Sequence, residues 1–530
     1  MLITRKPFTE IPQFSSRDVA YATGDERLKP FYKYPVTLEA FADAITDKAG
    51  DKTDRDLLVN ELKKQYAQLP ASEKVTAQLD KLREENTFTV ITAHQPSLFT
   101  GPLYFIYKIC SAINLASQLN EQYPDKHIVP VFITGGEDHD FEEINHLSLF
   151  GKKIEWSNDE NGAVGAMKTD TLTAALAELK DILGEREPAA SMYARIEKAF
   201  TSYPTYGLAT VSFVHDLFAD YGLVIADMAR PAYKRAFLPI IKEEIFNQPS
   251  QAIVEKAQQQ LTDAGFGAQA HAREINFFYL REGLRERIVV EGDRFKVLNT
   301  DYDFSREELE AELEAHPEFF SPNVVMRPLF QECIFPNLAY IGGGGEIAYW
   351  LERKEQFAHF GLNFPMLIRR NSVLWVDKGS QKKIEKAGIE VEDLFADDIE
   401  VFIREYVDNN SENELSLAPE IEQLESLFKS IAAKAESIDP TLAKAVLAEH
   451  ARQAKAVENL EGRIRRTEKQ RFDTSLNQIR GLKDKLFPGN GLQERSDNFL
   501  NIYVQEGEEM FAVLIDELNV LESGMVIVAS

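Results

Sequence analysis

Two neighbouring stretches decide the fold: "FTVITAHQPSLFTGPLYFIYKICSAINLASQL" (88–119) and "HIVPVFITGGEDHDFEEINHL" (127–147). In the first, the β-branched "TVIT" reads as a short strand, "AHQPSLFTGP" as a Pro/Gly loop, and the rest as an apolar helix. The second repeats the plan with an apolar strand, a glycine turn and a polar cluster. Successive strand–loop–helix units predict an α/β fold with a Rossmann-like parallel sheet. In such sheets ligands gather outside the carboxyl ends of the strands, where both loops lie.

Working outward, residues 1–149 form the first part of this core, with helices over 36–84. Residues 150–215 read as an inserted connecting segment. The core resumes over 216–400, where "GLVIAD" (222–227) is a strand closed by Asp227, and it carries a second insertion near 240–320. Beyond about 415 the period changes. Ile421, Leu424, Phe428, Ile431, Ala435, Ile438 and Leu442 recur at spacings of three and four, and Asp439-Pro440 marks a turn. The next helix is expected to run to Leu486. The resulting antiparallel coiled coil over 401–486 has an apolar seam that favours homodimerisation. Residues 487–530 are expected to return to the core.

The net charge of −27 opposes nonspecific attraction to nucleic acid or an anionic membrane. The two cysteines, Cys110 and Cys333, sit in apolar stretches and suit neither a disulfide framework nor a cysteine zinc site. No stretch is long and apolar enough to span a bilayer, and the N-terminus lacks the apolar core of a signal peptide, so a cytoplasmic location is expected.

Three constellations carry candidate chemistry. In "GGEDHDFEEINH" (135–146), a helix starting near Asp138 would put His139, Glu143 and His146 on one face, as a divalent metal could use. Acidic residues also favour helix starts because they complement the macrodipole. The reading preferred here is a substrate and acid–base site, with His139, Asp138, Asp140 and His146 catalytic and Glu137 and Asn145 binding substrate; no metal is assigned. In "AYIGGGGEIAYW" (339–350), Gly342, Gly343, Gly344 and Gly345 offer backbone donors to an anion. Glu346 would instead welcome an ammonium, and Tyr340 and Tyr349 flank the loop. In "HQPSLFTGPLY" (94–104), His94, Gln95, Thr100 and Gly101 face the crevice. Arg327, Gln331 and Arg369 leave strand ends where carboxylates or phosphates would be held. No nucleophile stands in a recognisable elbow or triad.

The loop "AHQPSLFTGP", the acidic "GEDHDFEEINH", the block "SPNVVMRPLFQECIFPNLAYIGGGGEIAYW" and "LFPGNGLQER" together resemble the BshC family of bacillithiol biosynthesis, over about residues 90–500. The chain departs from the family in "AHQ", where paired glutamines are usual, and in the unbroken "GGGGE". The resemblance implies a Rossmann-like core with connecting insertions and a coiled-coil dimer arm. It also implies a ligase joining cysteine to the amine of glucosaminyl-malate, with ATP and magnesium activating the carboxyl and no bound redox cofactor. Two other readings remain: a dimeric sugar- or nucleotide-binding scaffold without chemistry, and a metal-dependent hydrolase.

Overall fold

The computed structural model describes all 530 residues, which divide into two compact units: 1–375 with 492–528, and 376–491 with the last two residues. The first unit is built on five parallel strands, β1 (Thr87–His94), β2 (His127–Thr134), β3 (Val224–Asp227), β4 (Asn337–Gly342) and β5 (Met366–Arg369), in the order β5-β4-β1-β2-β3. β1 is buried along nearly its whole length, as a central parallel strand covered on both faces must be, and its Thr, Val and Ile residues suit that pleated setting. Helix α1 (Tyr104–Gln122) packs on β1 and β2 and buries Phe105, Ile109, Ile113 and Leu119.

From β1 the chain steps to β2 and β3 on one side, then crosses back to lay β4 on the other side of β1. The carboxyl ends of β1 and β4, at His94 and Gly342, therefore flank the topological switch point, where this architecture opens a crevice. Each return carries a connection. Between β2 and β3 lie a short helix α2 (Phe141–Ile144), a hairpin pairing His146–Leu149 with Lys152–Glu155, and helices Thr173–Leu183, Ala189–Ser202 and Tyr206–Phe218. Between β3 and β4 lie four helices and a five-stranded antiparallel sheet, in which Phe277–Arg281 pairs with Leu284–Glu291 and with Phe320–Pro322. After β4 comes the short helix α3 (Gly344–Trp350).

In the second unit, α4 (Ala418–Glu436) and α5 (Pro440–Arg471) pack against each other along an arm. The Asp439 side chain caps α5 by accepting from Thr441 N at 2.7 Å. At about 1.5 Å per residue the 32 residues of α5 span about 48 Å. The expected continuous helix to Leu486 breaks at Phe472, and α6 (Asp473–Leu486) follows. Phe472 leaves the α-helical region and its ring packs edge-on against Tyr406. The unit also begins earlier than residue 401. Helix Lys378–Ala387 and helix Ile399–Asn410 both pack on α6, giving residues 376–400 a helical setting of their own instead of a place in the core. No helix is long and apolar enough to cross a membrane.

Candidate functional site

A crevice of about 700 Å³ opens at the ends of β1, β2, β3 and β4 and is closed on the far side by the second insertion. Its size is that of a small-molecule site. At the switch point, Lys108 from the otherwise apolar α1 donates to Ala93 O at 2.9 Å and pairs with Glu346. Tyr340 donates to the other Glu346 oxygen at 2.6 Å, and Gly343 N donates to the carboxylate at 2.9 Å. Burial works to raise the Glu346 pKa, yet the charge and hydrogen bond of Lys108, with Tyr340 and Gly343, bring it down to about 2.

This carboxylate is therefore saturated within the protein and does not serve as the ammonium site the sequence suggested. Nor is the glycine run an open nest. Gly343 and Gly345 line the crevice, but Gly342 closes β4, and any side chain at Gly344 would run into the Asp18 carboxylate. Asp18 in turn takes Arg369 Nε at 3.1 Å, and the Arg369 guanidinium lies over the Phe8 and Phe14 rings, 4.5 and 4.8 Å from their centroids. Arg369 is a structural cation. Its neighbour Arg370, held by Glu494 at 2.8 Å, lines the crevice.

His94 lines the crevice beside Lys108. Its Nδ1 lies 2.9 Å from the Gln95 carbonyl, which can only accept, so the proton sits on Nδ1 and Nε2 keeps its lone pair. Burial, then the Lys108 charge, lowers its pKa to about 4, so the ring is neutral near pH 7. Thr100 and Gly101 stay out of the crevice. The turn at Phe99, Thr100 and Gly101 has positive φ throughout, and the Asn498 amide donates to the Phe99 and Gly101 carbonyls at 3.1 and 2.7 Å. A side chain at 101 would strike Ser97 Cβ, which accounts for the glycine.

The acidic loop splits in two. Glu137, Asp138, His139 and Glu143 face the crevice. Lys234, fully buried, holds Glu137 at 2.7 Å. Gln95 Nε2 donates to Asp138 at 2.7 Å and to Glu143 at 3.1 Å. Burial raises the Asp138 pKa, but its bond with His139, the Arg285 charge 3.6 Å away and Gln95 hold it well below the usual carboxylate range. Arg285 Nη1 also lies 2.6 Å from His139 Nδ1, which stands 3.5 Å from Asp138 Oδ1, so the ring is held between the guanidinium and the carboxylate.

The expected helix from Asp138 does not form. Gly165 N donates to Gly136 O at 2.8 Å and Val164 N to Asp138 O at 2.7 Å, so the first insertion holds the loop extended. A methyl group on Gly165 would lie 2.9 Å from Gly136 Cα, and one on Gly207 would lie 2.9 Å from Gly165 O. Asp140 instead caps α2 by accepting from Glu143 N at 3.3 Å. Asn145 is buried behind the loop, bonded to His146 Nδ1 at 3.0 Å, and His146 is exposed in a hairpin opposite Glu155. His139, Glu143 and His146 therefore share no helix face, and no three His, Asp, Glu or Cys side chains converge as a metal would require.

Six arginines, Arg273, Arg285, Arg287, Arg327, Arg370 and Arg495, line the same crevice, Arg285 directly against the acidic loop. Arg327 Nη2 donates to the Tyr340 and Tyr349 hydroxyls at 3.2 and 3.0 Å. Gln331 turns inward and bonds Glu332 at 2.8 Å, so it is no ligand. The sequence reading missed Lys108, Arg273, Arg285, Arg287 and Arg495. Lys108 carried a local signal, as a lone cation in an apolar helix, and Arg495 closes the quoted "LFPGNGLQER" block.

Fold and site define a Rossmann-like α/β protein with a strongly charged small-molecule crevice and a separate coiled-coil unit. The family described as "Bacillithiol biosynthesis BshC, N-terminal Rossmann-like domain" matches residues 8–371, and its "C-terminal coiled-coil domain" counterpart matches residues 373–530. The chain belongs to the BshC family. It is 41% identical to a Flavobacterium johnsoniae protein named "Putative cysteine ligase BshC", over 96% of both chains. Relatives of the same name from Christiangramia forsetii and Flavobacterium psychrophilum are 38% and 39% identical, over 97% and 96% of both chains respectively.

Proposed function

We propose that this chain is a cytoplasmic, homodimeric ligase that joins the carboxyl of cysteine to the amine of glucosaminyl-malate, with ATP and magnesium supplying the activation. The observation that carries the reading is the crevice itself, whose lining combines six arginines, the carboxylates of the acidic loop and a neutral histidine. The arginines suit malate carboxylates and the phosphates of a nucleotide, since guanidinium groups pair with both in bidentate fashion.

Activation by ATP would convert the cysteine carboxyl into an adenylate with pyrophosphate leaving, or into an acyl phosphate with ADP leaving. The free amine of the sugar then forms the C–N bond as the C–O bond to phosphate breaks and its electron pair leaves with the phosphate. The amine sheds one proton, and His94 Nε2 accepts it, because that nitrogen holds a lone pair and the opposite one is fixed as a donor. Asp138, His139 and Glu143 orient hydroxyl and amine groups, and Arg285 fixes His139. The arm leaves Leu427, Leu447 and Leu460 about half exposed, which supports covering by a second copy.

Purified protein incubated with cysteine, glucosaminyl-malate and ATP is expected to yield the thiol by mass spectrometry, with ATP consumed. Absence of product from folded wild-type protein, under conditions where an authentic standard is detected, rejects the ligase reading in favour of a binding scaffold. Leu427→Asp combined with Leu460→Asp is expected to convert a dimer to a monomer by light scattering.

A further inference from the structure

Next to the crevice lies a buried polar cluster none of whose four members lines it. Glu244, Ser250, Asn276 and Gln356 are all fully buried. Asn276 uses its amide completely. Its Nδ2 donates to Glu244 Oε1 at 2.6 Å and to Arg273 O at 2.8 Å. Its Oδ1 accepts from Arg273 N at 3.0 Å and from Asn323 Nδ2 at 3.0 Å. Asn323 N also donates to Asn276 O at 3.1 Å. Asn323 then gathers the start of the next helix, because its Oδ1 accepts from Val325 N at 2.8 Å and its carbonyl accepts from Arg327 N at 2.9 Å. Arg273, Asn323 and Arg327 all line the crevice.

Glu244 fixes which way round the Asn276 amide lies. It accepts at both oxygens, the second from Ser250 Oγ at 2.6 Å, and Ser250 is itself bonded by Gln356 Nε2 at 2.7 Å. A carboxylate that only accepts must meet the NH₂ end of Asn276, which turns the amide oxygen toward Arg273 N and Asn323. Keeping four such groups away from water is costly, and burial raises the Glu244 pKa to about 7 even though the Ser250 and Asn276 hydrogen bonds work to lower it. An apolar core would serve packing better. What the cluster adds is orientation.

We infer that Glu244 and Asn276 are positioning residues, which preset the anion-binding arginines of the crevice by fixing Arg273 and, through Asn323, the helix turn that carries Arg327. The inference rests on the ligase reading for the identity of the anion, a malate carboxylate, but its geometry stands apart from that chemistry. Preset donors bind an anion without first being ordered, so loosening them appears in KM more than in kcat.

The test compares Glu244→Gln with Glu244→Met in the full-length protein, using L-malate as the calorimetric probe and glucosaminyl-malate in turnover. In Glu244→Gln the amide oxygen still accepts from Asn276 and the new NH₂ can donate to Ser250 Oγ, so malate affinity and KM stay within about twofold of wild type. Glu244→Met removes the acceptor without opening a cavity. It is expected to weaken malate binding and raise KM about tenfold, with kcat changed less than threefold. A folded Glu244→Met that binds malate as wild type does overturns the inference, and so does a Glu244→Gln as impaired as Glu244→Met. Wild-type protein that makes no thiol while malate binding still follows the expected order refutes the ligase reading alone. Should Glu244→Met not fold, hydrogen exchange on the wild-type chain decides. The amides of Val325 and Arg327 are protected without ligand if that turn is preset, and protection that arises only with malate bound overturns the inference.

Discussion

The two strand-end loops that carry the most chemistry-bearing residues meet opposite fates. The acidic loop after β2 keeps three of its five carboxylates toward the crevice, whereas the one carboxylate of the glycine loop after β4 borders the crevice but is tied up by Lys108 and Tyr340. Glu346 is met by Lys108, Tyr340 and Gly343 N, while Asp138 has Arg285 at 3.6 Å and remains more than a third exposed. Proximity to a strand end is common to both. What separates them is whether a cation from elsewhere in the chain fully covers the charge. A covered carboxylate holds the sheet ends together; a partly covered one is left for a ligand.

The contrast can be broken most severely at the glycine loop. Lys108→Met strips the buried partner from Glu346 and is expected to cost about 3–5 kcal/mol of stability, read as a large fall in Tm. At the acidic loop the same kind of change should spare the fold and strike turnover. Asp138→Asn is expected to lower kcat/KM about 100-fold, or about 2.7 kcal/mol, with little change in Tm. If Lys108→Met melts like wild type, or Asp138→Asn unfolds, the division between structural and functional loop is lost.

Acid titration sharpens the comparison further. The His94 pKa falls from 6.5 to about 4 on folding, so the unfolded chain takes up a proton first as pH drops. Stability is unaffected by this group above pH 6.5 and declines from there to about pH 4. The Glu346 contribution is complete above pH 4.5 and is lost toward about pH 2. His94→Gln should therefore remove the His94 share of the Tm decline between pH 6.5 and 4, seen as a difference from the wild-type profile, and leave the lower segment in place. The smallest effect is expected at His146→Ala, with product formation within twofold and stability within about 0.5 kcal/mol, because the ring is exposed outside the crevice.

Much of this was legible in the sequence for a physical reason. β1 and β2 are continuous β-branched and apolar runs ended by turn residues, and burial on both faces requires that pattern. The apolar seam and Asp439-Pro440 marked α4 and α5 in the same way. Polar partners were harder, because nothing local selects them. Arg273 and Arg285 belong to an insertion more than a hundred residues from the loop they face, and Asn276 looks like any asparagine before a strand. The helix assumed at Asp138 obeyed local propensity, but backbone bonds from Val164 and Gly165 outweighed it. The break at Phe472 has neither proline nor glycine to announce it.

The stacked glycines at 136, 165 and 207 have a consequence for how such a protein can change. They let three pieces of main chain touch with no side chain between them, so the acidic half of the site takes its height above the sheet from the first insertion. That insertion is thus no detachable ornament. A single methyl at 165 would act as a wedge under Glu137 and Asp138, and trimming or exchanging the segment would move the carboxylates with it. The acidic loop and the appendage can only evolve together.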